Sequence, residues 1–238
     1  MSFVNYKNVK NRHYKRKFRG IVPTLITVVA TVSVILLAVE LCQAIFPQTR
    51  YKGFVPSSMG QRISKSVKKA QSLEIPDWID SQIIKVHSTA RSGKNLWDVN
   101  NIVVHYTGNP MSTAQNNRDY FNKSTTEVSS HFVVGLDGEI IQCVPLWEKS
   151  AASNDRNGDT ISIEVCHEDE SGKFSETTYN SLVKLISWLC CEFDLDESDV
   201  IRHYDITEKI CPKYYVENPK EWKQLKKDVK EGIDSYGD

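Results

Sequence analysis

The chain has 238 residues, of which 25% are charged and 40% are hydrophobic, with 11 Gly and 8 Pro. This balance excludes a collagen-like, low-complexity or wholly disordered protein and leaves room for one moderate globular domain. The formal net charge of zero hides an uneven distribution, because residues 1–19 carry seven Lys or Arg and no acid, which leaves 23 basic and 29 acidic residues after position 46. The bulk of the chain is therefore acidic, and we expect no nucleic-acid partner for it.

The first predicted element is a transmembrane helix over residues 20–46. Residues 21–39 (IVPTLITVVATVSVILLAV) carry no charge, and at about 1.5 Å per residue this run nearly matches a hydrocarbon core of about 30 Å. Because the basic cluster precedes the run, the positive-inside rule predicts a cytoplasmic segment 1–19 and an extracytoplasmic remainder. The chain is therefore predicted to be a single-pass protein of the cell membrane, with the membrane as one of its partners.

Two other interpretations of this region stay open. Residues 42–44 (CQA) offer small side chains at a possible signal-peptidase site, although the uncharged span is longer than the roughly 7–15 residues usual for a signal peptide. The basic segment could instead be a DNA-binding arm, but its position directly against an apolar span favours a role in membrane topology. An uncleaved anchor is the interpretation that we prefer.

The rest of the chain divides into a stalk and one folded domain. Residues 47–74 are polar and basic with weak periodicity, so they are predicted to be a stalk or linker, and residues 75–238 are predicted to be a mixed α/β domain. The predicted strands are residues 102–106, 130–135, 140–144 and 160–165, the middle two joined by a hairpin turn at Asp137-Gly138. The predicted helices are residues 113–122, an amphipathic helix that follows Ser175 as its N-cap, and residues 219–233. The expected fold is a mixed central sheet flanked by helices.

Three residues of this domain form a candidate metal-ligand set. His105 ends a predicted strand, and His203 and Cys211 lie together in the segment RHYDITEKICP (residues 202–212). Two imidazoles and a thiolate leave a fourth zinc position open for water, which is the pattern of catalytic sites. Spacing alone is weak support, because His105 lies far from the other two in sequence. On spacing alone, a hydrogen-bonded histidine at the end of a strand is the favoured interpretation. Cys211 is the one cysteine of the six for which we expect chemistry.

Four ordered segments resemble the zinc-dependent N-acetylmuramoyl-L-alanine amidases, a family that includes phage endolysins and bacterial autolysins and is related to peptidoglycan recognition proteins. These segments are IVVHYTGNP (102–110), SSHFVVGLDGEIIQCVP (129–145), GDTISIEVCHEDESGKF (158–174) and IRHYDITEKICPKYY (201–215). The resemblance covers about residues 75–229. It implies a peptidoglycan recognition protein-like fold, Zn²⁺ as the cofactor, and hydrolysis of the amide bond between N-acetylmuramic acid and L-alanine in peptidoglycan.

The resemblance also implies a role for each matched residue. His105, His203 and Cys211 correspond to the zinc ligands. Glu164 corresponds to the acid that takes a proton from the attacking water and returns it to the leaving amine, and Lys209 to the cation that stabilises the oxyanion. A partner for a buried cation and a solvated loop charge are the structural alternatives for Glu164 and Lys209.

The rival function is a non-catalytic module of the same fold that recognises muramyl peptide, tethered to the membrane. Relatives that only recognise the ligand commonly lack the cysteine, so Cys211 favours the enzyme. A structural wall tether that needs no zinc is a third possibility. His131 is left open as a substrate contact, a second candidate proton acceptor or a packed histidine.

Two departures from the family pattern stand near the expected site. Glu208 occupies the place of glycine in the Thr-Gly-Lys that many relatives carry, which adds a negative charge and removes backbone freedom beside the metal loop. Residues 151–154 (AASN) lie where many relatives carry a histidine before the Ile-Glu strand. Neither departure removes a predicted zinc ligand.

Overall fold

The computed structural model describes residues 63–87 and 89–236. The predicted cytoplasmic segment 1–19 and transmembrane helix 20–46 lie outside these ranges, as does the predicted stalk up to residue 62. Within the ranges that are described, no helix is both long enough and apolar enough to span a bilayer.

The described residues form one six-stranded sheet with helices packed against it. The strands are β1 (Asp80–Ser81), β2 (Asn101–Val104), β3 (Phe132–Val134), β4 (Ile140–Gln142), β5 (Thr160–Val165) and β6 (Val200–Arg202). The helices are α1 (Lys65–Ser72), α2 (Ala114–Phe121), α3 (Glu176–Phe193), α4 (Tyr204–Thr207), α5 (Lys213–Glu217) and α6 (Pro219–Tyr236), with a short 3₁₀ turn at Asn154–Arg156.

The sheet is mixed, as the sequence predicted. Its strand order is β1-β4-β3-β5-β2-β6. The β3–β4 pair is antiparallel and is joined by the predicted hairpin turn, in which Gly138 has a φ of +80° that an L side chain rarely adopts. The other neighbouring pairs are parallel. The carboxyl ends of β5, β2 and β6 therefore lie side by side at one edge of the sheet.

The two faces of the sheet bury separate apolar clusters. The larger cluster contains Phe132, Ile161 and Ile163 and packs against α3 and α6. The smaller cluster contains Val133 and Ile141 and packs against Ala114 and Phe121 of α2 on the opposite face. Successive strand residues point to opposite faces. Because Ile163 lies in the larger cluster, Glu164 points to the face that carries α2.

Helices α3 and α6 begin where the sequence predicts. Ser175 is the N-cap of α3, and its hydroxyl accepts a hydrogen bond from the backbone N–H of Thr178. Helix α6 starts at Pro219, where the missing N–H of proline removes no helical hydrogen bond.

Helix α1 is a departure from the predicted boundary. Residues 65–72 were assigned to the stalk 47–74, but they form a helix whose Val67 and Ala70 are buried in the larger apolar cluster. Ser66 also donates a hydrogen bond to Asp98 at 2.6 Å. The folded part therefore includes residues before position 75.

Candidate metal centre and cleft

The register of the three parallel strands brings distant residues together at the sheet edge. Val104 of β2 pairs with Ile163 of β5 on one side and with Arg202 of β6 on the other. Continuing this register by one residue places His105 beside Glu164 and His203. Two backbone bonds extend the pairing, because the His105 N–H donates to Ile163 O and the His203 N–H donates to Val104 O. All three side chains therefore lie on the face that carries α2.

Cys211 reaches the same place through a short loop. After β6 the chain makes one helical turn, α4, and returns so that the Tyr204 N–H donates to the Cys211 carbonyl. The sulfur of Cys211 lies 3.8 Å from Nδ1 of His105, and the imidazole centroids of His105 and His203 are 4.7 Å apart. One potential ligand atom from each of these residues lies within 4.8 Å of the others, and all three side chains are buried. The structure thus assembles the predicted ligand set.

The hydrogen bonds of the imidazoles leave one nitrogen on each ring for a metal. Nε2 of His203 is 2.8 Å from Oδ1 of Asn154, an oxygen that can only accept, so this nitrogen carries the proton. Nδ1 of His203 is buried and has no hydrogen-bond partner among the described residues. Nε2 of His105 is 3.4 Å from Oγ of Ser153, while its Nδ1 faces the Cys211 sulfur. Two imidazole nitrogens and a thiol make a three-donor set that fits zinc.

Burial sets the protonation of these groups. It lowers the pKa of His105, helped by the nearby His203 and Lys209, so the ring is neutral, which is the form that binds metals. The pKa of His203 is lowered by burial and then by Lys209. Burial raises the pKa of the Cys211 thiol to about 12, with a further contribution from Glu164. A metal must therefore displace the thiol proton when it binds.

Glu164 lies beside this cluster in an unusual state for a carboxylate. Burial raises its pKa to about 8, and the charge of Lys209 partly offsets this rise. One of its oxygens, Oε2, is buried and has no hydrogen-bond partner among the residues that the structure describes. A carboxyl group with a pKa near neutrality can both take up and release a proton at physiological pH.

Lys209 and Glu208 lie on the loop between α4 and Cys211. Lys209 is exposed and lines the same cleft as the cluster. Glu208 ends α4 with a φ of +62°, in the left-handed region. The glycine that many relatives carry at this place suits that conformation, whereas a side chain there is strained.

His131 does not belong to the site. It is fully buried, its Nδ1 accepts from the Ser162 N–H at 3.0 Å, and its Nε2 lies 2.9 Å from the Glu148 carbonyl. Both ring nitrogens are thus occupied, and His131 does not line the cleft. The packed-histidine alternative is the correct one.

Asn154 and Ser153 contact the two imidazoles but are not among the residues predicted from sequence. Asn154 begins the 3₁₀ turn with a φ of +52°, a conformation that asparagine tolerates better than most residues. No spacing signal connects it with His203, which lies 49 positions later. The hydrogen bond between Asn154 and His203 forms because folding brings the turn before β5 next to the carboxyl end of β6.

The cluster opens into a cleft of about 700 Å³, a volume within the usual range for small-molecule sites. The lining includes His105, Glu164, His203, Lys209 and Cys211, together with Asn117 and Tyr120 of α2 and Lys94 and Lys149 from two loops. All five residues singled out by sequence therefore line one cavity.

The sequence matches the model of the N-acetylmuramoyl-L-alanine amidase family over residues 95–214, just over half of the chain. Among curated proteins, it is 32% identical over 163 residues to the N-acetylmuramoyl-L-alanine amidase CwlL of Bacillus licheniformis, covering 61% of this chain and 45% of that protein. It is 33% identical over 168 residues to the amidase BlyA of Bacillus subtilis strain 168, covering 62% and 45%. The chain thus spans less than half the length of these relatives.

Solved structures show the same fold. A mutant endolysin from Bacillus subtilis superposes with a TM-score of 0.56 at 27% identity, covering 63% of this chain and 97% of the endolysin. The catalytic domain of XlyA superposes with a TM-score of 0.55 at 26% identity, covering 63% of this chain and 98% of that domain. The shared region therefore corresponds to nearly the whole of each of these two solved chains.

Proposed function

Because the chain belongs to the N-acetylmuramoyl-L-alanine amidase family, we propose that it hydrolyses the amide bond between N-acetylmuramic acid and L-alanine in peptidoglycan. One observation carries this proposal: the potential ligand atoms of His105, His203 and Cys211 lie within 4.8 Å of one another in the cleft that also contains Glu164. A module that only recognises muramyl peptide needs neither the metal ligands nor a buried acid beside them.

The ligand set would hold Zn²⁺ through Nδ1 of both imidazoles and the sulfur of Cys211. Bound in this way, zinc supplies Lewis-acid polarisation of the scissile carbonyl and lowers the pKa of water toward 7. Asn154 keeps the proton of His203 on Nε2 and thereby keeps Nδ1 available for the metal.

Glu164 would carry the proton. Its raised pKa lets the carboxylate accept a proton from water and then hold it in the dry interior of the site. The same carboxyl group then donates the proton to the leaving nitrogen, which departs as a neutral amine. Lys209 would place a positive charge near the oxygen on which negative charge develops, and its exposed position lets the side chain approach a bound substrate.

The predicted transmembrane helix 20–46 adds a proposal on location. We propose that it anchors the domain on the outer side of the cell membrane, with residues 1–19 inside. Seven cations in front of an uncharged run of nineteen residues support this topology. Peptidoglycan lies outside the cytoplasmic membrane, so this orientation would give the domain access to its proposed substrate.

Mass spectrometry of digested peptidoglycan tests the chemistry directly. The full chain should release stem peptides with a new amino-terminal L-alanine, and a chelator should abolish the release. Glu164→Gln keeps the shape of the side chain but removes its basicity, so turnover should fall by roughly 10²–10⁴-fold. Zinc content and muramyl-peptide binding should stay near those of the wild type.

Three results would contradict the proposal. Cleavage at a different bond, or the same cleavage in the presence of the chelator, would remove the zinc amidase assignment. Glu164→Gln activity within about threefold of the wild type would mean that another group carries the proton.

A further inference from the structure

The cleft has two cations on its rim that the proposed chemistry does not use, Lys94 and Lys149. They lie on adjacent chain segments, because the Lys149 N–H donates to the Lys94 carbonyl at 2.8 Å. An antiparallel bridge between Asn95 and Glu148 continues this pairing. Both lysines line the same cleft as the metal-ligand cluster.

The side chain of Lys149 has a defined position. Its Nζ lies 4.2 Å from the centroid of the Trp97 ring, which is within the range of a cation–π contact. The backbone N–H of Trp97 donates to the Gly158 carbonyl, and the Trp97 ring covers Gly158. A Cβ on Gly158 would lie only 1.9 Å from the Trp97 ring. The Trp97 ring thus contacts both Gly158 and the ammonium group of Lys149.

Within the described residues, neither lysine forms an ion pair with an acid. The charge of Asp159 raises the pKa of Lys149. The Asp159 carboxylate, however, already forms an ion pair with Arg156 at 2.8 Å. Glu148, next to Lys149 in sequence, is bound by Arg91 through two hydrogen bonds of 2.8 Å. Burial lowers the pKa of Lys149, and the like charge of Lys94 lowers it further. An anion bound between the two ammonium groups would relieve this repulsion.

We propose that Lys94 and Lys149 form a subsite for a carboxylate of the stem peptide, an inference that rests on the proposed amidase function. The amide to be cut joins the sugar's lactyl group to the peptide, so the peptide must extend from the metal-ligand cluster along the cleft. Free carboxylates are the anionic groups of that peptide. A lysine ammonium is a compact charge on a flexible stem that does not demand one fixed carboxylate geometry. The pair therefore selects peptides with a free carboxyl group over amidated ones.

The test compares two soluble muramyl peptides that differ only in whether the stem carboxyl groups are free or amidated. In the full chain, Lys94→Gln combined with Lys149→Gln should lower kcat/KM for the free peptide by roughly threefold to tenfold, mainly through KM. The same change should leave kcat/KM for the amidated peptide unaltered. Lys149→Arg retains the charge and the contact with Trp97 and should keep most of the preference.

Lys223→Gln serves as the matched control, because Lys223 is an exposed lysine of α6 that does not line the cleft. It should not change either rate. Thermal melting of each variant checks that the fold is retained.

Three outcomes would overturn the inference in different ways. Equal losses on the free and amidated peptides would show that the lysines do not recognise a carboxylate, while leaving the amidase function intact. A loss seen only on whole walls, and abolished when their anionic phosphate polymers are extracted, would assign the pair to those polymers instead. If the wild type cuts neither peptide, the proposed function fails and the subsite fails with it.

Discussion

Asn154 combines two properties that few residues share. It adopts a φ of +52°, and its side-chain oxygen accepts a hydrogen bond from Nε2 of His203 at 2.8 Å. Partners of this kind orient metal ligands, and their loss typically weakens metal binding by roughly 10–100-fold. The residue lies in the segment 151–154 (AASN), which departs from the pattern of many relatives.

Three variants of Asn154 separate the hydrogen bond from the backbone conformation. Asn154→Ala and Asn154→Gly both remove the acceptor and should lower zinc affinity by roughly 10–100-fold, measured by competition with a chromogenic chelator. Asn154→Asp keeps an acceptor oxygen and should stay close to the wild type. If Asn154→Gly binds zinc as well as the wild type and only Asn154→Ala is impaired, the left-handed backbone, and not the hydrogen bond, is what the site needs.

His131 makes folding stability depend on pH. Burial lowers its pKa to about 4 in the folded chain, against 6.5 for a free histidine. Between these values the unfolded chain binds a proton that the folded chain does not, so the stabilisation is complete above pH 6.5 and is lost as the pH falls toward 4. The loss is on the order of 3 kcal/mol for this residue, and His105 and His203 act in the same direction in metal-free protein.

Denaturant unfolding of metal-free protein at several pH values measures this dependence. His131→Gln should be less stable than the wild type at pH 7, because it breaks the bonds with Ser162 and Glu148. Between pH 7 and pH 5, the free energy of unfolding of His131→Gln should nevertheless change less than that of the wild type. An unchanged slope in the variant would show that other groups produce the acid sensitivity.

At the scale of secondary structure, prediction succeeded where apolar residues repeat and failed where they do not. The strand 160–165 was predicted with the observed bounds because Ile161, Ile163 and Val165 alternate with polar residues. Helix α1 was missed because only Val67 and Ala70 of its eight residues are buried. Strand β1 has two exposed residues and carries no alternating pattern at all. These short elements form because the rest of the sheet and core are already in place.

The end of helix α4 offers a direct test of backbone strain next to the candidate metal ligands. Glu208 has a φ of +62°, a conformation that costs a residue with a side chain roughly 1–2 kcal/mol. Glu208→Gly should therefore raise the free energy of unfolding by up to about 1 kcal/mol, since the greater freedom of glycine in the unfolded chain offsets part of the gain. Glu208→Val should lower it, because a branched Cβ fits this conformation poorly.

Thermal or denaturant unfolding of the two variants measures the effect. Glu208→Gln acts as the control, because it removes the charge and keeps the conformational cost. If Glu208→Gln is as stabilising as Glu208→Gly, the charge of Glu208 is the dominant factor and the strain argument is wrong.

On the scale of the whole molecule, the family and the mixed sheet flanked by helices were predicted from sequence and are confirmed. The three candidate ligands were recognised through family resemblance, since spacing could not connect His105 with Cys211, 106 positions later. Contacts between segments that share no sequence pattern could not be predicted. The bond from His203 to Asn154 and the contact of Lys149 with Trp97 are of this kind.

The membrane topology remains a prediction for the intact cell. Protease treatment of whole cells should remove the domain if residues 47–238 lie outside, and it should leave residues 1–19 protected. Lysed cells provide the control, because protease should then reach both sides. A domain that survives on intact cells and is cut only after lysis would reverse the proposed orientation.

The arrangement of strands at the metal-ligand cluster also governs when the site exists during synthesis. His105 follows a strand that lies between β5 and β6, and the last ligand, Cys211, comes after β6. A nascent chain that has not yet released residue 211 therefore cannot assemble the three donors, however well its earlier segments have folded. Such long-range pairings are also the slow part of folding. The ribosome would thus handle an inert polypeptide, and competence to bind a metal would arise only after residue 211 has emerged.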